Sequence, residues 1–409
     1  MDHLIIGTGP AGVNAAETLR DVDPGAMVRL VGDEPEPPYS RMALPYLLMG
    51  RIGEAGTYLR ERPEHFAERD IDVVRDRVTR IDPAAHRVTL EGGDSLAYDR
   101  LLVATGSSPV SPPIPGVDGP HVSSCWTLAD ARAIAAGATK GSRVALIGAG
   151  FIGSIILESL AMRGVTLAVI EQGERMVPRM MGPVAGNMLK GWCEARGVAV
   201  HTGVAVEAIE EAGVRLGDGT LVAAERVITA TGVRPNVGFL DGSGVDTDQG
   251  VLVDHHFRTS VDDIYAAGDV AQGLDFSTGG HAVHAIQPTA ADHGHLAALN
   301  MSGRDAPYEG SLNMNVLDTL GLLSCSFGRW EGVAGGEEAE LHSPGDHRYL
   351  SLQFEDDRLI GAHAVGLIQH VGVLRGLIQR RTPLGVWKER LVRDPTRLME
   401  AYLATTQVI

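Results

Sequence analysis

The apolar and polar positions arrange themselves into two copies of one order. Residues 3–20 open with an apolar strand, His3-Leu4-Ile5-Ile6, pass through the glycine turn Gly7-Thr8-Gly9-Pro10-Ala11-Gly12, and continue with Ala15, Ala16 and Leu19 at helical spacing. A second strand is expected over residues 27–31. The order returns at 143–170, with strand Val144-Ala145-Leu146-Ile147, turn Gly148-Ala149-Gly150-Phe151-Ile152-Gly153, a helix, and a strand over 167–170. Further along each block, Leu101-Leu102-Val103-Ala104-Thr105-Gly106 resembles Val227-Ile228-Thr229-Ala230-Thr231-Gly232. This internal repeat predicts two homologous α/β units. Past residue 310 the glycine turn does not recur. Alternating stretches such as 349–354 predict strands, and the apolar spacing over 366–381 predicts a helix, together a third and smaller domain.

One glycine turn of this kind would carry little weight in a chain with 51 glycines, about twice the usual share. Both copies, however, lie between a buried strand and a helix, where each glycine has its own task. One makes the tight turn, one lets backbone approach a pyrophosphate, and one lets helix pack on strand. The pyrophosphate then rests on the helix N-terminus, whose free N–H groups favour anions. An acid at the end of the following strand should accept from ribose hydroxyls. Glu171, 23 residues after Gly148, is so placed, and it would repel a 2′-phosphate, which favours NADH over NADPH. In the first block that acid is Asp33 or Glu34, and spacing does not choose between them.

The length of 409 residues suits two or three domains. The formal charge of −17 disfavours nucleic acid and anionic membranes as partners. No leader-like segment precedes the first strand and no run reaches 18 apolar residues, so a cytoplasmic protein is expected. Cys125, Cys193 and Cys325 are far apart and form no CxxC pair, so the expectation is inert thiols, no local redox disulfide and no metal site. The stretch 107–119, rich in proline and glycine, reads as a crossing between units.

The chain resembles the FAD-dependent pyridine nucleotide-disulfide oxidoreductase superfamily over at least residues 3–300. The resemblance rests on both glycine turns, on Tyr98-Asp99-Arg100-Leu101-Leu102-Val103-Ala104-Thr105-Gly106, on the Ala-Thr-Gly match ending at Asn236, and on Ile264-Tyr265-Ala266-Ala267-Gly268-Asp269. It implies FAD at the first unit, held by Gly7, Gly9, Pro10, Ala11, Gly12, Asp33 or Glu34, Arg41, Val78, Ala104, Thr105, Gly106, Gly268, Asp269, Gln287 and Pro288. It implies NADH at the second, held by Gly148, Gly150, Phe151, Ile152, Gly153, Glu171 and Gly232. Asp269 would accept from the flavin ribityl chain. The helix starting at Gln287-Pro288 would aim its N-terminus at the flavin pyrimidine ring, where negative charge appears on reduction. The implied layout is two Rossmann-like domains, an FAD domain in two parts (1–112 and 236–310) interrupted by an NAD domain (113–235), with an α+β C-terminal interface domain (311–409).

The departures from the family matter as much. Tyr39-Ser40-Arg41-Met42-Ala43-Leu44-Pro45-Tyr46 resembles the flavin-facing segment of CoA-disulfide reductases, but Met42 stands where they carry a redox cysteine. Ferredoxin reductases carry a lysine at the position of Tyr46 and a glutamate at that of Ile155, and both are replaced. The expected function is an NADH-dependent FAD oxidoreductase that passes electrons to a small iron-sulfur protein of the ferredoxin or rubredoxin type, or to a partner enzyme. An NADH oxidase or small-molecule reductase, and an NADH-sensing flavoprotein with little turnover, stay open, as does a homodimer. His281 and His284 flank the flavin helix, and neither is assigned a catalytic part. Residues 375–397 carry a local excess of positive charge in an acidic chain.

Overall fold

A computed structural model describes residues 1–406. Its contacts separate two compact units, one formed by Met1–Ser108 with Val233–Ser311, the other by Pro109–Gly232 with the chain from Leu312 onward.

The first unit is built on a five-stranded parallel sheet in the order Ile264–Ala266, Arg100–Val103, Asp2–Ile6, Met27–Gly32, Ile71–Arg75. Leu4 and Ile5 are fully buried in its central strand, the continuous apolar run expected of a parallel strand covered on both faces. Helix Pro10–Val22 packs against helix Gln287–Met301. The approach is close because Gly294 lacks a side chain: a Cβ there would lie 2.1 Å from the Ala11 carbonyl oxygen. An antiparallel sheet of Val78–Asp82, Arg87–Leu90 and Ser95–Ala97 and a mixed sheet of Val251–Leu252, Ala271–Leu274 and His281–Val283 also belong to the unit.

The second unit repeats the plan. Its parallel sheet runs Ala199–Thr202, Thr166–Glu171, Arg143–Ile147, Arg226–Thr229, Val122–Ser124. Helix Phe151–Met162 follows the first strand, as Pro10–Val22 does in the other unit. The repeat and both α/β folds are therefore as the glycine turns indicate. From residue 312 the chain adds an antiparallel sheet, Met314–Thr319, Leu322–Gly328, Arg358–Val365, Arg348–Glu355, Glu337–Ser343. Strand Arg348–Glu355 is buried at all six inner positions. Alternation is lost there because both faces of the strand are covered. Helix Val371–Gln379 packs onto this sheet through Val373, Leu374, Leu377 and Ile378, a stripe at helical spacing. Among the described residues no helix is long and apolar enough to cross a membrane.

Candidate nucleotide-binding sites

In the first unit the strand Asp2–Ile6 ends where Gly7 adopts φ +118°, a conformation open to glycine. Its N–H donates to Val31 O at 2.7 Å, which ties the turn to the neighbouring strand. A Cβ on Gly7 would lie 2.1 Å from Ala104 O, and one on Gly12 would lie 1.9 Å from Gly7 O. Gly9 differs: a Cβ there would meet nothing within 4 Å. Gly9 is also the N-cap of helix Pro10–Val22, with no side-chain cap and Pro10 in the first turn. The early N–H groups of that helix thus lie beneath an open face, which is the cradle a pyrophosphate requires.

The second unit reproduces this arrangement residue for residue. Gly148 has φ +103° and donates to Ile170 O at 2.8 Å. A Cβ on Gly153 would lie 2.0 Å from Gly148 O, whereas one on Gly150 would meet nothing within 4 Å. Gly150 caps the helix that Phe151 and Ile152 begin, again with no side-chain cap. Glu171 closes the site: Oε2 accepts from the Ala149 N–H at 2.7 Å and Oε1 from the Gly173 N–H at 2.8 Å. Two backbone donors therefore hold the carboxylate beside the glycine turn. Gly232 has φ +113° and open space where a Cβ would be.

Around the first cradle the structure gathers most of the remaining candidates. Gly268, at φ +78°, brings its turn against Ala11, whose Cβ would be 3.0 Å from a Cβ on Gly268. Asp269 follows, and its Oδ2 accepts from Ser107 Oγ at 3.3 Å. Burial pushes the Asp269 carboxyl above its ordinary pKa, against the Ser107 hydroxyl and the Arg41 charge, which pull it down. A half-buried acceptor so thinly served fits a ligand that brings hydroxyl donors. Thr105 and Gly106 are held by Asn236: its Nδ2 donates to Thr105 O at 2.9 Å, its N–H donates to Gly106 O at 3.0 Å, and its carbonyl accepts from Thr105 Oγ1 at 2.9 Å. This gives the Asn236 of the repeated motif a physical part, fixing the first unit's own Ala-Thr-Gly turn.

The two acids that spacing left open diverge. Asp33 is exposed and pairs with Arg77 at 2.7 Å. Glu34 accepts from Arg41 at 2.6 Å and from the Tyr39 hydroxyl, and so joins the group that contains Arg41 and, through its field, Asp269. The Val78 side chain is buried among the core residues, which leaves only its backbone to face a ligand. Ser40 Oγ bonds the Gln287 side chain, linking segment 39–46 to the first residue of helix Gln287–Met301. That helix has Pro288 in its first turn and no side-chain cap. Met42 and Tyr46 are 44% and 49% exposed.

The titrating groups that stand apart are structural. His293 lies among Phe257, Tyr308 and Ser311, and burial pushes its pKa down to about 3. His284 is nearly buried, with Nε2 3.0 Å from Asp275 Oδ2, a pairing that no local spacing indicates. The thiols of Cys125, Cys193 and Cys325 are unpaired and buried, each with its pKa pushed up to about 12 by burial.

Known proteins resemble this chain along most of its length. The sequence model of the pyridine nucleotide-disulphide oxidoreductases matches residues 1–289. The epsilon subunit of NADH-dependent phenylglyoxylate dehydrogenase from Aromatoleum evansii is 31% identical, the alignment covering 99% of this chain and 97% of that protein. The ferredoxin–NAD(+) reductase component of the anthranilate 1,2-dioxygenase system from Burkholderia cepacia is also 31% identical, covering 92% and 93%. Among solved structures, the covalent putidaredoxin reductase–putidaredoxin complex superposes with a TM-score of 0.92 at 24% identity, covering all of this chain and 99% of that one.

Proposed function

Because the chain belongs to the pyridine nucleotide-disulphide oxidoreductase family, we propose that it is an NADH-dependent FAD oxidoreductase that exchanges electrons with a redox protein through its flavin and without a thiol relay. The observation that carries this reading is the pair of open glycine cradles in one chain, each with its own carboxylate.

In the first unit the residues around Gly9 take the FAD pyrophosphate, Asp269 accepts from the ribityl chain, and Glu34, rather than Asp33, takes the adenosine ribose. Helix Gln287–Met301 offers the positive end of its dipole to the flavin ring, where reduction adds negative charge. In the second unit Gly150 leaves room for the NADH pyrophosphate, and Glu171 accepts from the ribose hydroxyls. Bound FAD supplies the step from two-electron hydride chemistry to one-electron transfer. The protein supplies position and field. With all three thiols buried and methionine at position 42, no sulfur is at hand for exchange. The redox partner on this reading is a small iron-sulfur protein, the kind of partner that the name of the dioxygenase-system reductase gives for that protein, or an enzyme of which such a chain is a subunit, as the name of the epsilon subunit gives for that one. The acidic chain suits neither nucleic acid nor an anionic membrane. A cytoplasmic site, where NADH is supplied, and a homodimer belong to the same reading.

Anaerobic stopped-flow reduction tests the donor side. NADH should reduce the bound flavin with a kcat/KM at least tenfold above that of NADPH, since Glu171 would face the extra phosphate. A preference for NADPH would overturn the placement. On the acceptor side, turnover should be fast with a ferredoxin and slow with oxygen; the reverse would make the protein an oxidase.

A further inference from the structure

Apart from both nucleotide sites, Asp254, His255 and His256 occupy the turn after strand Val251–Leu252. Each presents one metal-binding atom, and these atoms lie within 4.8 Å of one another. The turn is firmly built. Asp254 accepts from the N–H groups of His256 at 2.8 Å and Arg258 at 2.9 Å, and its own N–H donates to Arg258 O at 3.0 Å. The rings of His255 and His256 stand 4.2 Å apart, centroid to centroid.

A fourth group arrives from elsewhere in the chain. Asp305 lies in the turn after helix Gln287–Met301, and its Oδ1 is 2.8 Å from His256 Nε2. The two turns are also joined by backbone, since the Tyr308 N–H donates to His255 O at 2.7 Å. Two imidazoles and the Asp254 carboxylate thus converge, and the Asp305 carboxylate meets them at His256 Nε2.

We propose that Asp254, His255, His256 and Asp305 bind one divalent transition-metal ion, of which zinc is the type, and that the ion clamps the segment after the flavin helix to the 254–258 turn. The donor set decides the class of metal. Imidazole nitrogen suits zinc, nickel and cobalt, whereas magnesium and calcium take oxygen donors. The charge balances, because two carboxylates neutralise a divalent ion. The geometry is within reach: donors sharing one zinc at about 2.0–2.1 Å bond length lie closer together than 4.8 Å, and rotation of exposed side chains closes the difference. Asp305 stands outside that group of three and, at 88% exposure, swings in to complete the set, while His256, at 15%, is the anchored member.

The FAD-loaded enzyme, dialysed against a chelator and then titrated calorimetrically with zinc chloride, should take up one zinc ion per chain. Its Tm should rise with zinc concentration, because an ion bound only to the folded state stabilises it. Magnesium chloride should do neither. The double variant His255→Ala/His256→Ala should bind zinc at least tenfold more weakly while keeping its flavin absorbance and its rate of reduction by NADH. His281→Ala, the loss of an exposed histidine outside the cluster, should bind zinc as the parent does. Should the double variant lose its flavin, Asp305→Ala decides, with weaker zinc binding expected. Absence of saturable zinc binding in the parent, or unchanged affinity in the variant that keeps its flavin, would overturn the proposal.

Discussion

At the scale of single residues, the glycines of one turn do different work, and the difference can be measured. Gly12 has backbone 1.9 Å from where a Cβ would sit, whereas Gly9 has none within 4 Å and an ordinary negative φ. Gly12→Ala should therefore damage the fold itself, with a lower Tm and little soluble protein. Gly9→Val should fold, with native circular dichroism, and fail to retain FAD because its side chain fills the cradle. A Gly9→Val protein that purifies with full flavin absorbance would place the cofactor elsewhere. The cysteines make an equally sharp case. Alkylation needs the thiolate, and a pKa pushed to about 12 leaves almost none at pH 8, whereas a free thiol near 8.5 is partly ionised. Iodoacetamide at pH 8 should leave the native enzyme unmodified and active, and should label three sites once the chain is unfolded. Inactivation at pH 8 by one equivalent per chain would show a thiol in the electron path.

At the scale of elements, the crossing of helices Pro10–Val22 and Gln287–Met301 links the pyrophosphate cradle to the flavin helix, and it depends on Gly294. Overpacking a tight contact costs about 1–3 kcal/mol. Gly294→Ala should lower Tm and weaken FAD binding together, whereas Gly191→Ala, on helix Pro183–Glu194 with open space around it, should change neither. Flavin release followed by fluorescence during thermal unfolding checks both. The sequence makes the two glycine turns and their strands legible because their signals are local: a buried run, a turn and a helix within twenty residues. It leaves Asp33 and Glu34 unresolved because the answer depends on Tyr39, Arg41 and Arg77, whose side-chain partners no spacing reveals. The strand order after residue 312 is equally hidden, since Leu322–Gly328 pairs with Arg358–Val365 across a gap that two other strands fill. The Asp254 cluster escapes a reading that looks for spaced cysteine and histidine pairs, because its three close members are consecutive and Asp305 reaches His256 from a separate segment.

At the scale of the whole molecule, the feature that matters is charge, −17 overall against a basic C-terminal stretch. An acidic redox protein would be repelled by most of this surface, so productive encounter needs a positive patch. Within 375–397 the structure sorts the charges. Lys388 pairs with Glu337 at 2.8 Å and Arg397 with Glu400, while Arg390 and Arg397 also lie over the Trp387 ring. Arg375, Arg380 and Arg393 are exposed, and none of them forms an ion pair among the described residues. These three are the charges able to steer a partner. Double charge reversal, Arg380→Glu with Arg393→Glu, should slow electron transfer to a ferredoxin by at least tenfold at low salt, leaving flavin reduction by NADH unchanged. In the parent, the ferredoxin rate should fall as salt shortens the screening length to about 8–10 Å, and in the variant that salt dependence should flatten. Stopped-flow measurements from low to physiological ionic strength read both effects. If the rate ignores both salt and charge reversal, the basic stretch is only a solvated face, and the electrons leave for a small neutral acceptor.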